Sequence, residues 1–281
     1  MFKLCRFEKN GRAAVGVLTE TGVGDLWGAG VQSLTQVLEH RSLLDAINPA
    51  GFPIIPFDVA KLLPPIEQQE VWAAGVTYLR SKKARMTESE FSASAYDRVY
   101  EAERPEIFFK SLPEKVSGPG GLVGIRRDAK WNVPEPELAL VINSKKELVG
   151  FTIGNDMSSR DIEGENLLYL PQAKVYKHAC ALGPCILTGI SEEQARQWTI
   201  SLRIERGGSE VFSGQTSVSQ IKRSFSELID FVFRSQEFPN GVVLLTGTGV
   251  VPGDDFTLNA GDVVGINISG IGTLENTVVE V

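Results

Sequence analysis

The chain has 281 residues, 42% of them hydrophobic, and a formal net charge of −7. This is enough for one large domain or two smaller ones, and no apolar run approaches the roughly 18 residues needed to span a bilayer. With no dense Lys/Arg tract, neither nucleic acid nor membrane is expected as a partner. Cys5, Cys180 and Cys185 form no metal motif and no even-numbered disulfide framework, which predicts a reducing, cytoplasmic setting. Only His40 and His178 are available for a histidine-dependent nucleophile, so such mechanisms are poor candidates.

Residues 1–7 and 13–18 alternate like strands, not like a signal peptide, around the turn dipeptide Asn10-Gly11. Residues 31–40 have helical spacing of Leu34, Val37 and Leu38. Pro53, Pro56, Pro64 and Pro65 mark a linker, closing a small N-terminal α+β module over residues 1–65 ahead of a main domain over 66–281. Residues 71–76 read as a buried strand. Residues 81–103, rich in charge, Ser and Ala, suggest one or two surface helices stopped by Arg104-Pro105; a lid and a plain solvated helix are equal readings. Residues 107–110 return to strand. Gly118-Pro119-Gly120-Gly121 is a turn, too short for a phosphate loop.

The chemistry concentrates in the next two strands. Glu135 and Glu137 stand at i and i+2 before the apolar run Leu138–Ile142, so they share one strand face. Asp156 closes a second apolar strand that can pair alongside. Three converging carboxylates repel unless a cation lies between them, and an all-oxygen set without His or Cys suits Mg²⁺, Mn²⁺ or Ca²⁺. A solvated strand edge carries the same Glu-x-Glu text. Downstream, residues 199–205 and 210–213 flank Gly207-Gly208 as a hairpin. Ser224 to Glu227 fits a capping box opening a helix that ends near Phe233. Residues 242–245, 263–268 and 277–281 are further strands. Cys180 and Cys185 read as small buried side chains flanking a strand. The pattern is β-rich, without the regular alternation of a doubly wound sheet.

Several marks, in order, carry a family resemblance: Glu135-x-Glu137-Leu138-Ala139, Gly154-Asn155-Asp156-Met157-Ser158-Ser159-Arg160-Asp161, Lys174, Ala181-Leu182-Gly183-Pro184 and Thr246-Gly247-Thr248-Gly249. From about residue 70 to 281 the chain resembles the fumarylacetoacetate hydrolase superfamily. The resemblance implies an α+β, β-rich fold with a mixed β-roll and a homodimeric or homotetrameric assembly. It also implies Mg²⁺ or Mn²⁺ held by Glu135, Glu137 and Asp156, and a small 2-oxo acid or 1,3-dicarbonyl substrate.

Residues 161–176 resemble the branch that dehydrates 2-keto-3-deoxy pentonates. Hydrolase branches commonly carry Lys-x-Phe-Asp where this chain has Lys174-Val175-Tyr176-Lys177, and a His after the tyrosine where it has Tyr78-Leu79-Arg80-Ser81. The expected reaction is therefore conversion of a substrate such as 2-keto-3-deoxy-D-arabinonate to 2,5-dioxopentanoate through an enolate, in pentose catabolism. Lys174 is the first candidate for proton transfer or enolate stabilisation, with a plain ion pair as its alternative. Glu163 and Glu165 are candidate acid or base, against a solvated loop; Glu88, Glu90 and Glu103 compete. Thr248, with the backbone N–H groups of Gly247 and Gly249, is a candidate carboxylate seat, and Arg80 a second clamp. Arg160 is expected to order Asp161 or a neighbouring strand, and His178 to be packed or exposed. The competing activities are a Mg²⁺-dependent C–C hydrolase of acylpyruvates or fumarylpyruvate and an oxaloacetate decarboxylase; a fold retained without turnover is the non-enzymatic alternative.

Overall fold

Asn10 and Gly11, both at positive φ (52° and 74°), turn the chain so that β1 (Lys3–Lys9) pairs antiparallel with β2 (Arg12–Leu18). The computed structural model describes residues 1–40, 43, 51–58, 60–78 and 98–281. Then come β3 (Gly22–Asp25), β4 (Ile54–Pro56), β5 (Lys61–Leu63), β6 (Glu70–Gly75) and β7 (Glu106–Ser111). Next are β8 (Leu122–Ile125), β9 (Asn132–Val133), β10 (Pro136–Ile142), β11 (Leu148–Asp156) and β12 (Ser158–Ser159). The last six are β13 (Cys180–Thr188), β14 (Thr199–Arg206), β15 (Ser209–Ser217), β16 (Val242–Leu245), β17 (Val263–Ile268) and β18 (Gly272–Glu280).

Among the described residues, 11 strands form one mixed sheet in the order β4-β3-β2-β1-β13-β11-β10-β16-β6-β7, with β5 also on β1. A five-stranded sheet runs β15-β14-β17-β18-β8, and β9 pairs with β12. The β16–β6 and β18–β8 pairs are parallel. This is the β-rich, mixed architecture expected. Two readings differ from it. The proline-marked segment is not a bare linker, because it contributes β4 to the sheet edge and β5 to β1; a terminal Pro56 is tolerated there, since an edge position needs no second ladder bond. The final strand also starts earlier, at Gly272, antiparallel to β17.

The central strands are buried on both faces, which is why they read as unbroken apolar runs. Leu138, Leu140 and Ile142 face one core with Phe151, Ile153 and Leu244. That core is closed by Ile200, Leu202 and Ile266 of the second sheet and by Phe225 and Leu228 of the helix Phe225–Val232. Ala139 and Val141 face the other core with Leu182, Val243 and Leu245. There the helix Leu34–Glu39 of the N-terminal module packs Leu34, Val37 and Leu38. By strand parity Glu135 and Glu137 belong to this second face. Residues 79–97, most of the expected lid or surface helix, lie outside the described residues.

Candidate metal centre

Strand register brings the carboxylates together. Pro136 pairs with Asn155 and Glu137 with Gly154, and the Asp156 N–H donates to the Glu135 carbonyl at 3.0 Å. Asp156 therefore stands across from Glu135, on the face that also carries Glu137. Oxygens from Glu135, Glu137 and Asp156 lie within 4.8 Å of one another, and all three residues are buried. Gly154 makes room beside them, since a Cβ there would lie 2.2 Å from Leu245 Cδ2.

Three buried cations face this cluster. Lys174, at the end of the helix Leu170–Lys174, places Nζ 2.5 Å from Glu135 Oε2 and 3.3 Å from Asp156 Oδ2. Arg160 Nη2 lies 2.8 Å from Glu135 Oε1, with its guanidinium 5.8 Å from the Trp131 ring centroid. Lys110 ion-pairs with Asp156 Oδ1, and its ammonium donates to the carbonyls of Met157 (3.1 Å) and Lys174. Burial first, and then the negative charges of Asp156 and Glu135, push the Glu137 carboxyl well above the usual carboxylate range. Lys174 and the Gly247 N–H, which donates to Glu137 Oε2 at 2.6 Å, offset this in part. Gly247 sits at φ +87°, and a Cβ there would lie 2.1 Å from Thr77 Oγ1, so only glycine brings its N–H to that carboxylate.

A small pocket opens over the cluster. Its wall includes Ala74, Gly75, Val76 and Phe108, and it also presents Glu106, Glu163, Lys174, Gly247 and Thr248. Of the expected acid–base pair only Glu163 lines it. Glu165 is exposed, because two residues along a helix lie on different faces. Glu103 is exposed; Arg80, Glu88 and Glu90 lie outside the described residues. Thr248 lines the pocket, whereas the Gly247 N–H is engaged by Glu137 and Gly249 packs against the Tyr78 ring. His178 lies beside Ser117, its Nδ1 3.5 Å from the hydroxyl, and does not line the pocket.

Arg160 reaches Glu135 just ahead of β10, in keeping with its expected role of ordering a neighbouring strand. Sequence reasoning missed two groups. Lys110 and Glu106 come from the strand after the undescribed segment. Lys110 did carry a signal, a lysine following three apolar residues, Ile107 to Phe109. An all-oxygen, buried, cation-balanced cluster of this kind fits a hard divalent ion such as Mg²⁺ or Mn²⁺.

The sequence model of the fumarylacetoacetate (FAA) hydrolase C-terminal family matches residues 70–279. The chain belongs to that family. It is 48% identical over 217 residues to a probable 2-keto-3-deoxyxylonate dehydratase of Haloferax volcanii, covering 77% of this chain and 74% of that one. It is 40% identical over 217 residues to the 2-dehydro-3-deoxy-D-arabinonate dehydratase of Saccharolobus solfataricus, covering 76% and 73%. A solved structure of 2-keto-3-deoxy-D-arabinonate dehydratase complexed with magnesium and 2,5-dioxopentanoate superposes with a TM-score of 0.86. It is 32% identical to this chain and covers 99% of each. Among the described residues no helix is long and apolar enough to cross a membrane.

Proposed function

We propose that this protein is a metal-dependent hydro-lyase that converts 2-keto-3-deoxy-D-arabinonate, or a closely related 2-keto-3-deoxy pentonate, to 2,5-dioxopentanoate. The observation that carries the reading is one pocket that joins the Glu135–Glu137–Asp156 cluster to Lys174 and to two further carboxylates, Glu106 and Glu163. No histidine lines it among the described residues, so the pocket lacks the group that a water-activating hydrolase of this family commonly uses. The similarity to two dehydratases supports the same choice.

Glu135, Glu137 and Asp156 would hold Mg²⁺ or Mn²⁺. When bound, the ion supplies Lewis acidity that makes the C3 protons beside the 2-oxo group easier to remove. Lys174 presents a fixed ammonium on the pocket wall, where it stabilises the negative charge of the enolate. The reaction needs one carboxylate to take a C3 proton and an acid to deliver a proton to the departing C4 hydroxyl. Glu106 and Glu163 are the remaining carboxyl groups on that wall. Loss of water leaves a C3–C4 double bond. Moving a hydrogen from C5 to C3 gives a C4–C5 enol, which becomes the aldehyde with no redox cofactor. Thr248, on the pocket wall, is the proposed contact for the substrate carboxylate, and Arg80 remains its proposed second clamp. The same reading assigns the protein to cytoplasmic pentose catabolism and to a homodimeric or homotetrameric assembly.

The test is a paired assay with Mg²⁺ before and after EDTA, one reaction holding 2-keto-3-deoxy-D-arabinonate and the other an acylpyruvate. Metal-dependent 2,5-dioxopentanoate in the first alone is expected. Pyruvate release in the second alone would overturn the dehydratase reading.

A further inference from the structure

The two oxygens of Asp156 meet two different lysines, and the two lysines are held differently. Lys174 lines the pocket and reaches Oδ2 from 3.3 Å while also contacting Glu135. Lys110 does not line that pocket, and its side chain is 0% exposed. An ammonium has three N–H donors. Lys110 Nζ ion-pairs with Asp156 Oδ1 and donates hydrogen bonds to the Met157 and Lys174 carbonyls. The two carbonyls are main-chain atoms, one just beyond the end of β11 and the other at the end of the helix Leu170–Lys174. Lys110 is therefore anchored to two main-chain segments as well as to Oδ1.

We infer that Lys110 is a cation-specificity residue: by holding Oδ1 it leaves Asp156 a single oxygen to offer, and so biases the centre toward Mg²⁺ or Mn²⁺ over Ca²⁺. The physical basis is the coordination habit of the ions. Ca²⁺ takes 6–8 oxygens and accepts both oxygens of one carboxylate, while Mg²⁺ demands near-octahedral geometry from single oxygens. The inference rests on the metal-site reading above.

The experiment measures binding of Mn²⁺ to the whole protein by electron paramagnetic resonance, without substrate, and its displacement by Mg²⁺ or by Ca²⁺. Wild type is compared with Lys110→Met, which keeps the length of the side chain and removes its donors. Loss of a positive charge strengthens binding of both divalent ions, so the Mg²⁺-to-Ca²⁺ preference isolates geometry from charge. Wild type is expected to prefer Mg²⁺, and Lys110→Met to lose about tenfold of that preference, in line with the effect of removing groups that orient a ligand. A preference unchanged within about twofold in folded Lys110→Met would overturn the inference and leave Lys110 a structural lysine. Should that variant not fold, Lys110→Gln, shorter and neutral, is read the same way. Equal affinity of wild type for the two ions overturns the inference without any variant. No Mn²⁺ bound by wild type would instead sink the metal site itself, and this inference with it.

Discussion

Glu137 has two opposing effects on the protein. Its carboxyl is driven toward the neutral form by burial and by Asp156 and Glu135, so its charge opposes folding of the metal-free chain. Glu137→Gln is therefore expected to leave the thermal midpoint of the EDTA-treated protein equal to or above wild type. The same change should weaken Mn²⁺ binding and turnover together by about 100-fold or more, in line with the loss of a charged ligand. A residue that merely braced the fold would show the reverse. Gly75 makes a second case. It pairs with Glu106 across β6 and β7, and a Cβ at Gly75 would lie 2.0 Å from Glu106 Oε2. Gly75→Ala should displace that carboxylate, lowering kcat by about tenfold or more through misplacement while leaving Mn²⁺ affinity as it was. The convergence of Glu135, Glu137 and Asp156 was legible in the sequence because strand alternation and one hairpin register suffice to bring them together. Lys110 and Glu106 were not, because their positions depend on how distant elements close over the site.

Local signals succeeded where the partner is close in sequence. The Ser224 hydroxyl accepts from the Glu227 N–H as expected, but Glu227 turns to Arg223 in an ion pair, and no return bond to the Ser224 N–H forms. The helix Leu34–Glu39 has a less visible support. Glu67, more than thirty residues away, accepts from the N–H groups of Leu34 and Thr35 (both 2.9 Å) and from the Ser33 hydroxyl (2.7 Å). Burial works to raise the Glu67 carboxyl, but the bonds from Thr35, Ser33 and Leu34 outweigh it and hold the group below the ordinary carboxylate range. A depressed folded value means that this stabilisation is complete above the unfolded value, about 4.3, and is lost as pH falls through the folded one. Glu67→Gln should therefore cost about 1–2 kcal/mol in urea unfolding at pH 7. The gap to wild type should close in strongly acidic buffer; a gap independent of pH would mean that the charge of Glu67 is not what holds the helix. Nothing in the proline-rich stretch before Glu67 marked this contact, nor the short strands there, because both are made by tertiary pairing.

At the scale of the whole molecule, residues 1–65, the proposed N-terminal module, share the main sheet. Lys3 and Leu4 of β1 pair with Leu187 and Ile186 of β13, the strand beside β11. Val15, Val17, Leu34 and Val37 complete the core under Leu182 and Leu245. Deleting residues 1–65 would uncover that apolar surface and a bare strand edge. The truncated chain is expected to aggregate or to lose cooperative unfolding, judged by size-exclusion chromatography and calorimetry. A monodisperse, cooperatively unfolding fragment 66–281 would show the module to be dispensable.

The position of β10 and β11 also matters over time. Both strands lie inside the large sheet, with β13 on one side and β16 on the other. Their amides can exchange with deuterated solvent only when the sheet opens cooperatively, whereas the edge strand β4 can exchange by fraying. A cation that binds only the closed form makes such openings rarer. At about 100 times its Kd it should slow exchange in β10 and β11 by about 100-fold while leaving β4 nearly as fast as before. Isotope uptake in strands far from solvent would then act as a clock for occupancy of the centre, readable with no substrate present.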